Sequence, residues 1–200
     1  MEIEYEATFI NIDKDEIRER LKKAGAKLIS PEFLQTRIVY NLPKGHEIEG
    51  SWIRVRSERD KITMSLKICA KTEKIEDQKE IELEISSFEK ADQFLETLGC
   101  KKKAFQENKR EIWQLQDVEI CIDEWPFLEP FVEIEAKSEQ AVKQATQKLG
   151  FDYEKAKFCS IDFLHAEKYN ISTDVINNDI PKLIFDMENP FIDSEINKRS

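Results

Sequence analysis

Three times along this chain an acidic strand-like run with the pattern Glu-x-Glu feeds an amphipathic helix that stops at glycine. The runs are Glu4-Tyr5-Glu6 ahead of Gly25, Glu82-Leu83-Glu84 ahead of Gly99, and Glu133-Ile134-Glu135 ahead of Gly150, and the last two share the same Glu-to-Gly spacing. Between them lie runs of opposite charge with the same alternation, Arg54-Val55-Arg56 and Thr63-Met64-Ser65-Leu66-Lys67. Successive strand side chains point to opposite faces, so each run puts its charges on one face and its apolar residues on the other. Ile3, Tyr5 and Ala7, Ile53 and Val55, Met64 and Leu66, Ile81, Leu83 and Ile85, Ile120 and Ile122, and Val132 and Ile134 all occupy the parity opposite to the charges.

The periodicity yields an order of elements. Residues 2–10 read as a strand, Asp13-Lys14-Asp15-Glu16 as a helix start, and Ile17, Leu21 and Ala24 as that helix's inner stripe. Strands are expected over 35–41, 51–58, 61–70 and 79–85, with 72–78 as a mobile polar loop. Ser86-Ser87-Phe88-Glu89 opens a helix with a stripe of Phe88, Ala91, Phe94, Leu95 and Leu98. A hairpin follows over 103–115 and 117–124, then a Pro-bounded connector, a strand over 131–136, and helices over 138–149 and 155–169. After Asn170 the composition turns Asn- and Asp-rich with Pro181 and Pro190, yet Val175, Ile176, Leu183, Ile184, Phe185 and Phe191 are too apolar for a plain tail. The expected organisation is therefore one domain over 1–170 and an extension over 171–200 packed irregularly on it and fraying at its end.

Two topologies satisfy this pattern. An open antiparallel sheet would carry helices on its apolar face and wash its charges in solvent. Some eight strands in so small a domain favour closure into a barrel, which removes the sheet edges. With helices outside, the charged parity then lines the lumen, and six or more glutamates there require arginines and cations to offset them. The fold expected is α+β, a closed antiparallel barrel of eight-stranded type forming a tunnel, with helices packed outside.

Charge narrows the partners. The net charge of −10 over 200 residues argues against nucleic acid, whose binding rests on clustered positive charge. No stretch approaches the roughly 20 apolar residues needed to span a bilayer, and the start Met1-Glu2-Ile3-Glu4 lacks the look of a signal peptide. Cys69, Cys100, Cys121 and Cys159 are widely spaced and read as reduced thiols, which suits a cytoplasmic protein, and neither His46 nor His165 shows zinc-ligand spacing. A homodimer is compatible with the sequence, which does not fix oligomeric state.

In this order the residues resemble the CYTH superfamily, the triphosphate tunnel metalloenzymes, over about residues 2–169. The family opens on Glu-x-Glu-x-Lys. Here Glu4 and Glu6 match and Thr8 stands in place of the lysine. Trp52-Ile53-Arg54-Val55-Arg56, Lys67, the Glu80/Glu82/Glu84 row, Arg110, Asp123 and Glu133-Ile134-Glu135 follow in family order, with Asn108 where the later Lys-x-Arg has its lysine. The resemblance implies that Arg54, Arg56, Lys67 and Arg110 bind triphosphate oxygens, with Lys109 or Lys71 making up for the missing lysines. It implies that Glu4, Glu6, Glu133 and Glu135 hold Mg2+ or Mn2+, with Asp123 and Glu82 as further candidates. Among these, Glu4, Glu6, Arg54, Arg56, Lys67, Arg110 and Glu135 are the candidate catalytic set. The layout, with the Asp123-Glu124-Trp125-Pro126 turn, looks closest to the bacterial class IV adenylate cyclases, which convert ATP to cyclic AMP and pyrophosphate. Triphosphate hydrolysis and non-catalytic binding of a nucleotide or polyphosphate are the alternatives, since the tunnel residues are nearly the same for each.

Overall fold

The computed structural model describes residues 1–70 and 74–192. Its strands are β1 (Glu2–Ile3), β2 (Tyr5–Phe9), β3 (Lys27–Asn41), β4 (Ser51–Glu58), β5 (Lys61–Cys69), β6 (Gln78–Ile85), β7 (Lys101–Leu115), β8 (Val118–Glu124), β9 (Phe131–Ala136) and β10 (Lys182–Leu183). The helices are α1 (Lys14–Ala24), α2 (Phe88–Thr97), α3 (Glu139–Lys148), α4 (Ile161–Tyr169) and α5 (Thr173–Asp179).

The strand order is β1-β6-β5-β4-β3-β7-β8-β9-β2, antiparallel throughout, with β10 added parallel to β7. The two ends of this list are consecutive in the chain. β1 pairs with β6, the Glu4 amide donates to the Gln78 carbonyl at 3.0 Å, and β2 then turns to pair with β9. One strand interrupted at Glu4 thus bridges both edges, and the sheet becomes a nearly closed barrel, as the number of strands predicts.

The helices cover the outside. Ala7, Phe9, Ile120, Ile122, Val132 and Ile134 point outward into a core with Ile17 and Leu21 of α1 and Val142, Ala145 and Leu149 of α3. Serine and aspartate N-caps start these helices: Asp13 accepts from the Glu16 amide, Ser87 from Lys90 and Ser138 from Ala141. Gly25, at φ +80°, closes α1 in the left-handed conformation that side chains resist. Gly50 has a steric role as well: a Cβ there would lie 2.3 Å from the Cys69 carbonyl oxygen, where the Cys69 amide donates to the Gly50 carbonyl at 2.9 Å.

Several local expectations need correction. β3 begins at Lys27, not near residue 35, because its first half pairs with β7 through register shifts around Ser30, where Pro31 sits with no β4 partner beside it. The helix expected over 155–169 starts only at Ile161. Before it, Lys157 is captured by the free edge of β2, with amide-to-carbonyl bonds to and from Thr8 at 2.9 and 3.0 Å. The polar loop expected over 72–78 contains a 3-10 turn at Ile75–Asp77 whose Ile75 is core (3% exposed), while Thr72 and Glu73 lie outside the described residues. The helical cover is incomplete: α2 buries Ala91 and Leu95 over β4, while Phe94 and Leu98 and the β6 residues Ile81 and Leu83 stay exposed.

A separate core gathers Trp125, Phe131, Leu164, Ile171, Val175, Ile176, Ile180, Leu183 and Phe191. Phe191 stacks between His165 and Tyr169, with ring centroids at 4.5 and 4.8 Å. This holds the segment after residue 170 over the stretch of β7 that β8 does not reach, where β10 pairs with Phe105 and Gln106.

Candidate functional site: a charged tunnel

The inward parity encloses a cavity of about 960 Å³. Its charges group largely by strand, with Glu58, Glu80 and Glu82 mixed in beside the arginines. β3, β4 and β7 contribute the guanidinium groups of Arg37, Arg54, Arg56 and Arg110, whereas β2, β9 and β8 contribute Glu6, Glu133, Glu135 and Glu119, with Glu4 at the β1–β2 break. The pleat explains this placement, since charged residues recur at one parity along each strand and hydrogen-bonded neighbours stay in register, although β4 ends its row Arg54, Arg56 with Glu58. Glu6 faces Glu135, which in turn faces Glu119; on the other wall Arg37 faces Arg56.

Several cations are paired. Arg54 lies 3.0 Å from Glu80 and 3.6 Å from Glu82, and Arg56 lies 3.4 Å from Glu82 and beside Glu58. Lys67 sits 2.9 Å from Glu4 and 3.6 Å from Glu80. Arg110 grips Asp123 through Nε (2.9 Å) and Nη2 (2.6 Å), a two-pronged geometry suited to guanidinium, and Nη2 also reaches Glu133.

Burial and like charge set the proton affinities. Burial pushes the Glu4 carboxyl up to about 8 against the pull of Lys67, and Glu80, which shares a hydrogen bond with it, goes down under the influence of Glu4, Lys67 and Arg54. Burial, then the Glu6 charge, pushes Glu135 up to about 7. Glu133 is raised for the same two reasons, reinforced by Asp123. Burial opposes the charge on Arg110, but Asp123 and Glu133 outweigh it and hold its proton more firmly than usual. Burial, followed by the Arg56 charge, lowers Arg54.

Most sequence-derived candidates meet in this cavity: Glu4, Glu6, Arg54, Arg56, Lys67, Glu82, Arg110, Glu133 and Glu135 all line it. Asp123 lies fully buried behind the wall, its carboxylate occupied by Arg110 and by Asn108 Nδ2 at 2.9 Å. Lys109 is elsewhere. One residue out of phase with Arg110, it faces outward, 3.0 Å from Glu124 and over the Phe185 ring, so it does not make up for the missing lysines in this tunnel. Lys71 lies outside the described residues. Thr8 is buried with its backbone bridged to Lys157.

Sequence reasoning missed Arg37, Glu119 and Trp125. Arg37 was detectable, since it alternates with Ile38 and Tyr40 on a strand already recognised. Trp125, whose ring lies 4.6 Å from the Arg37 guanidinium, follows the last residue of β8 and carries no periodic signal. The segment after residue 165 also reaches the cavity, through Asp174, Ile176 and Asn177.

The carboxylates have the chemistry a hard divalent cation prefers, oxygen donors with like charges in register. Among the described residues no three are already drawn together around a cation position. Carboxylates in adjacent register repel one another and do not converge without a cation between them.

A helix-clad antiparallel barrel with a polar tunnel that brings arginines and glutamates together is the class this fold and site define. The chain belongs to the CYTH domain family, whose sequence pattern matches residues 1–165. It is 31% identical over 124 residues to a Methanocaldococcus jannaschii protein named as a candidate adenylate cyclase, covering 62% of this chain and 70% of that protein. Two solved structures share the fold. One, from Vibrio parahaemolyticus and also named as a candidate adenylate cyclase, has a TM-score of 0.69 at 12% identity over 82% of this chain and 97% of its own. The other, from Hippeastrum, is named as a candidate adenylyl cyclase and described as having a dominant triphosphatase activity; its TM-score is 0.54 at 14% identity, over 85% of this chain and 96% of its own. Among the described residues no helix is long and apolar enough to cross a membrane.

Proposed function

We propose that this protein is a divalent-metal-dependent enzyme that binds a nucleoside triphosphate in the tunnel and converts it, as class IV adenylate cyclases do, to cyclic AMP and pyrophosphate. The observation that carries the reading is the shared cavity: the guanidinium groups of β3, β4 and β7 and the glutamates of β2, β8 and β9 line one enclosed space. Arginine forks match phosphate oxygens two at a time, so Arg54, Arg56 and Arg110, with Lys67, form the phosphate-binding wall. Arg54 meets Glu80 and Glu82, and Arg56 meets Glu82, through Nη2 in each case.

Glu4, Glu6, Glu133 and Glu135 would hold Mg2+ or Mn2+, which when bound neutralises phosphate charge and lowers the proton affinity of an attacking hydroxyl. The chain's own residues bind and orient the triphosphate. In the cyclase reaction the ribose 3′-oxygen bonds to the α-phosphorus, its proton passes to water, and the bond to the pyrophosphate oxygen breaks.

Hydrolysis of the terminal phosphate is the second reading, favoured by the triphosphatase activity described for the Hippeastrum neighbour. The deciding experiment incubates the protein with Mg2+ or Mn2+ and ATP, tripolyphosphate or thiamine triphosphate and identifies the products. Cyclic AMP with pyrophosphate supports the cyclase and orthophosphate the hydrolase. Binding with neither product removes the enzymatic reading.

A further inference from the structure

Arg37 makes no ion pair with any described residue, unlike the other tunnel arginines Arg54, Arg56 and Arg110. It is 7% exposed, lines the cavity, and lies directly opposite Arg56 on β4 and Gln106 on β7. Its hydrogen bonds run through Nη2, to the side-chain oxygens of Gln35 (3.1 Å) and Asn108, while its Nε–H is buried without a partner.

The two amides are themselves fixed. Gln35 Nε2 donates to Glu58 at 3.0 Å, and Asn108 Nδ2 donates to Asp123 at 2.9 Å. With their nitrogens engaged on carboxylates, both amides aim oxygen at the guanidinium, and the Trp125 ring backs it at 4.6 Å. Arg37 is therefore held in place by neutral groups, with its charge left over. Burial, then the charges of Arg54, Arg56 and Arg110, works against that charge. A buried charge opposite a like charge is costly in the ligand-free protein, and an incoming anion offsets the cost.

We propose that Arg37 is a fourth guanidinium of the phosphate-binding wall, contacting one phosphoryl group of the substrate beside Arg56 and supplying the cation that Asn108 lacks. This rests on the triphosphate reading above. Asn108 then has a positive role: the amide at this position orients a charge delivered from the neighbouring strand. A lysine there would add a third like charge beside Arg37 and Arg110.

The test is calorimetric titration of tripolyphosphate with Mg2+ into the wild-type protein, Arg37→Gln and Arg37→Lys, with unfolding midpoints of the ligand-free proteins. Losing a charge-assisted contact should weaken binding by Arg37→Gln roughly 10- to 100-fold, and Arg37→Lys should recover part of it. The ligand-free Arg37→Gln protein should be at least as stable as wild type, because a repelled charge is gone. Wild type that binds and Arg37→Gln that binds within about twofold overturns the proposal and leaves the triphosphate reading standing. A less stable Arg37→Gln whose lost affinity Arg37→Lys does not restore also overturns it, by making Arg37 a packing residue. Wild type that binds no tripolyphosphate overturns the triphosphate reading itself.

Discussion

Replacing Glu135 by glutamine should stabilise the metal-free protein, and only above mildly acidic pH. Glu135 is largely buried, faces Glu6 and Glu119 across the two neighbouring strands, and makes no hydrogen bond or ion pair with another described residue. Burial first, and the Glu6 charge next, raises its carboxyl from 4.5 to about 7. The folded protein therefore holds a proton that the unfolded chain has released between those values. With more protons on the folded side, stability falls as pH rises through this window and levels off above it. At about 1.36 kcal/mol per pH unit the loss comes to about 3 kcal/mol at pH 8, and it is absent below pH ~4. Glutamine keeps the shape and cannot ionise, so Glu135→Gln should recover that amount, a rise of roughly 6–12 °C in Tm for a chain of this size. Urea and thermal unfolding of both proteins without divalent metal, at pH 4 and pH 8, measure it. Equal stability of the two proteins at pH 8, or the same gain at both pH values, would refute the assignment of Glu135 as a buried, uncompensated acid.

Three further outcomes follow from the same geometry. Arg110→Met should cost about 3–5 kcal/mol, because fully buried Asp123 loses its two-pronged partner; an unchanged urea midpoint would show that Asp123 is neutral without it. Mg2+ or Mn2+ binding should release protons and weaken as pH falls below about 8 and then 7, where Glu4 and Glu135 take up protons; titration calorimetry in two buffers of different ionisation heat would read no proton release if other groups hold the metal. Phe191→Ala should cost roughly 3–5 kcal/mol and expose the segment from 170 to 192 to protease, since this ring is sandwiched between His165 and Tyr169; protease resistance equal to wild type would show that the other apolar contacts suffice.

The alternation of charge made much of the barrel legible, and its failures share a cause. Strands with one charged and one apolar parity, such as Arg54-Val55-Arg56 and Glu133-Ile134-Glu135, declared which residues share a face. The first half of β3 did not, because Pro31 and two register shifts break its alternation and only pairing with β7 makes it a strand. Lys157 was read as helical because nothing local announces that the free edge of β2 takes its backbone. Phe94, Leu98, Ile81 and Leu83 fit an inner stripe by pattern, yet α2 leaves them exposed, since a stripe says which face is apolar and not what covers it.

The sequence alone determined the parity: which residues share a side of each strand, hence that acidic and basic groups would be neighbours on one surface. Parity follows from local backbone geometry, so it survives without knowledge of distant partners. Only the tertiary structure decided that this surface is concave and that β1 and β2 close it. It also turned Lys109 outward against Glu124 and brought Arg37 into the tunnel on Asn108 and Trp125. These depend on register between strands far apart in the chain, where a shift of one residue would send every side chain to the opposite face.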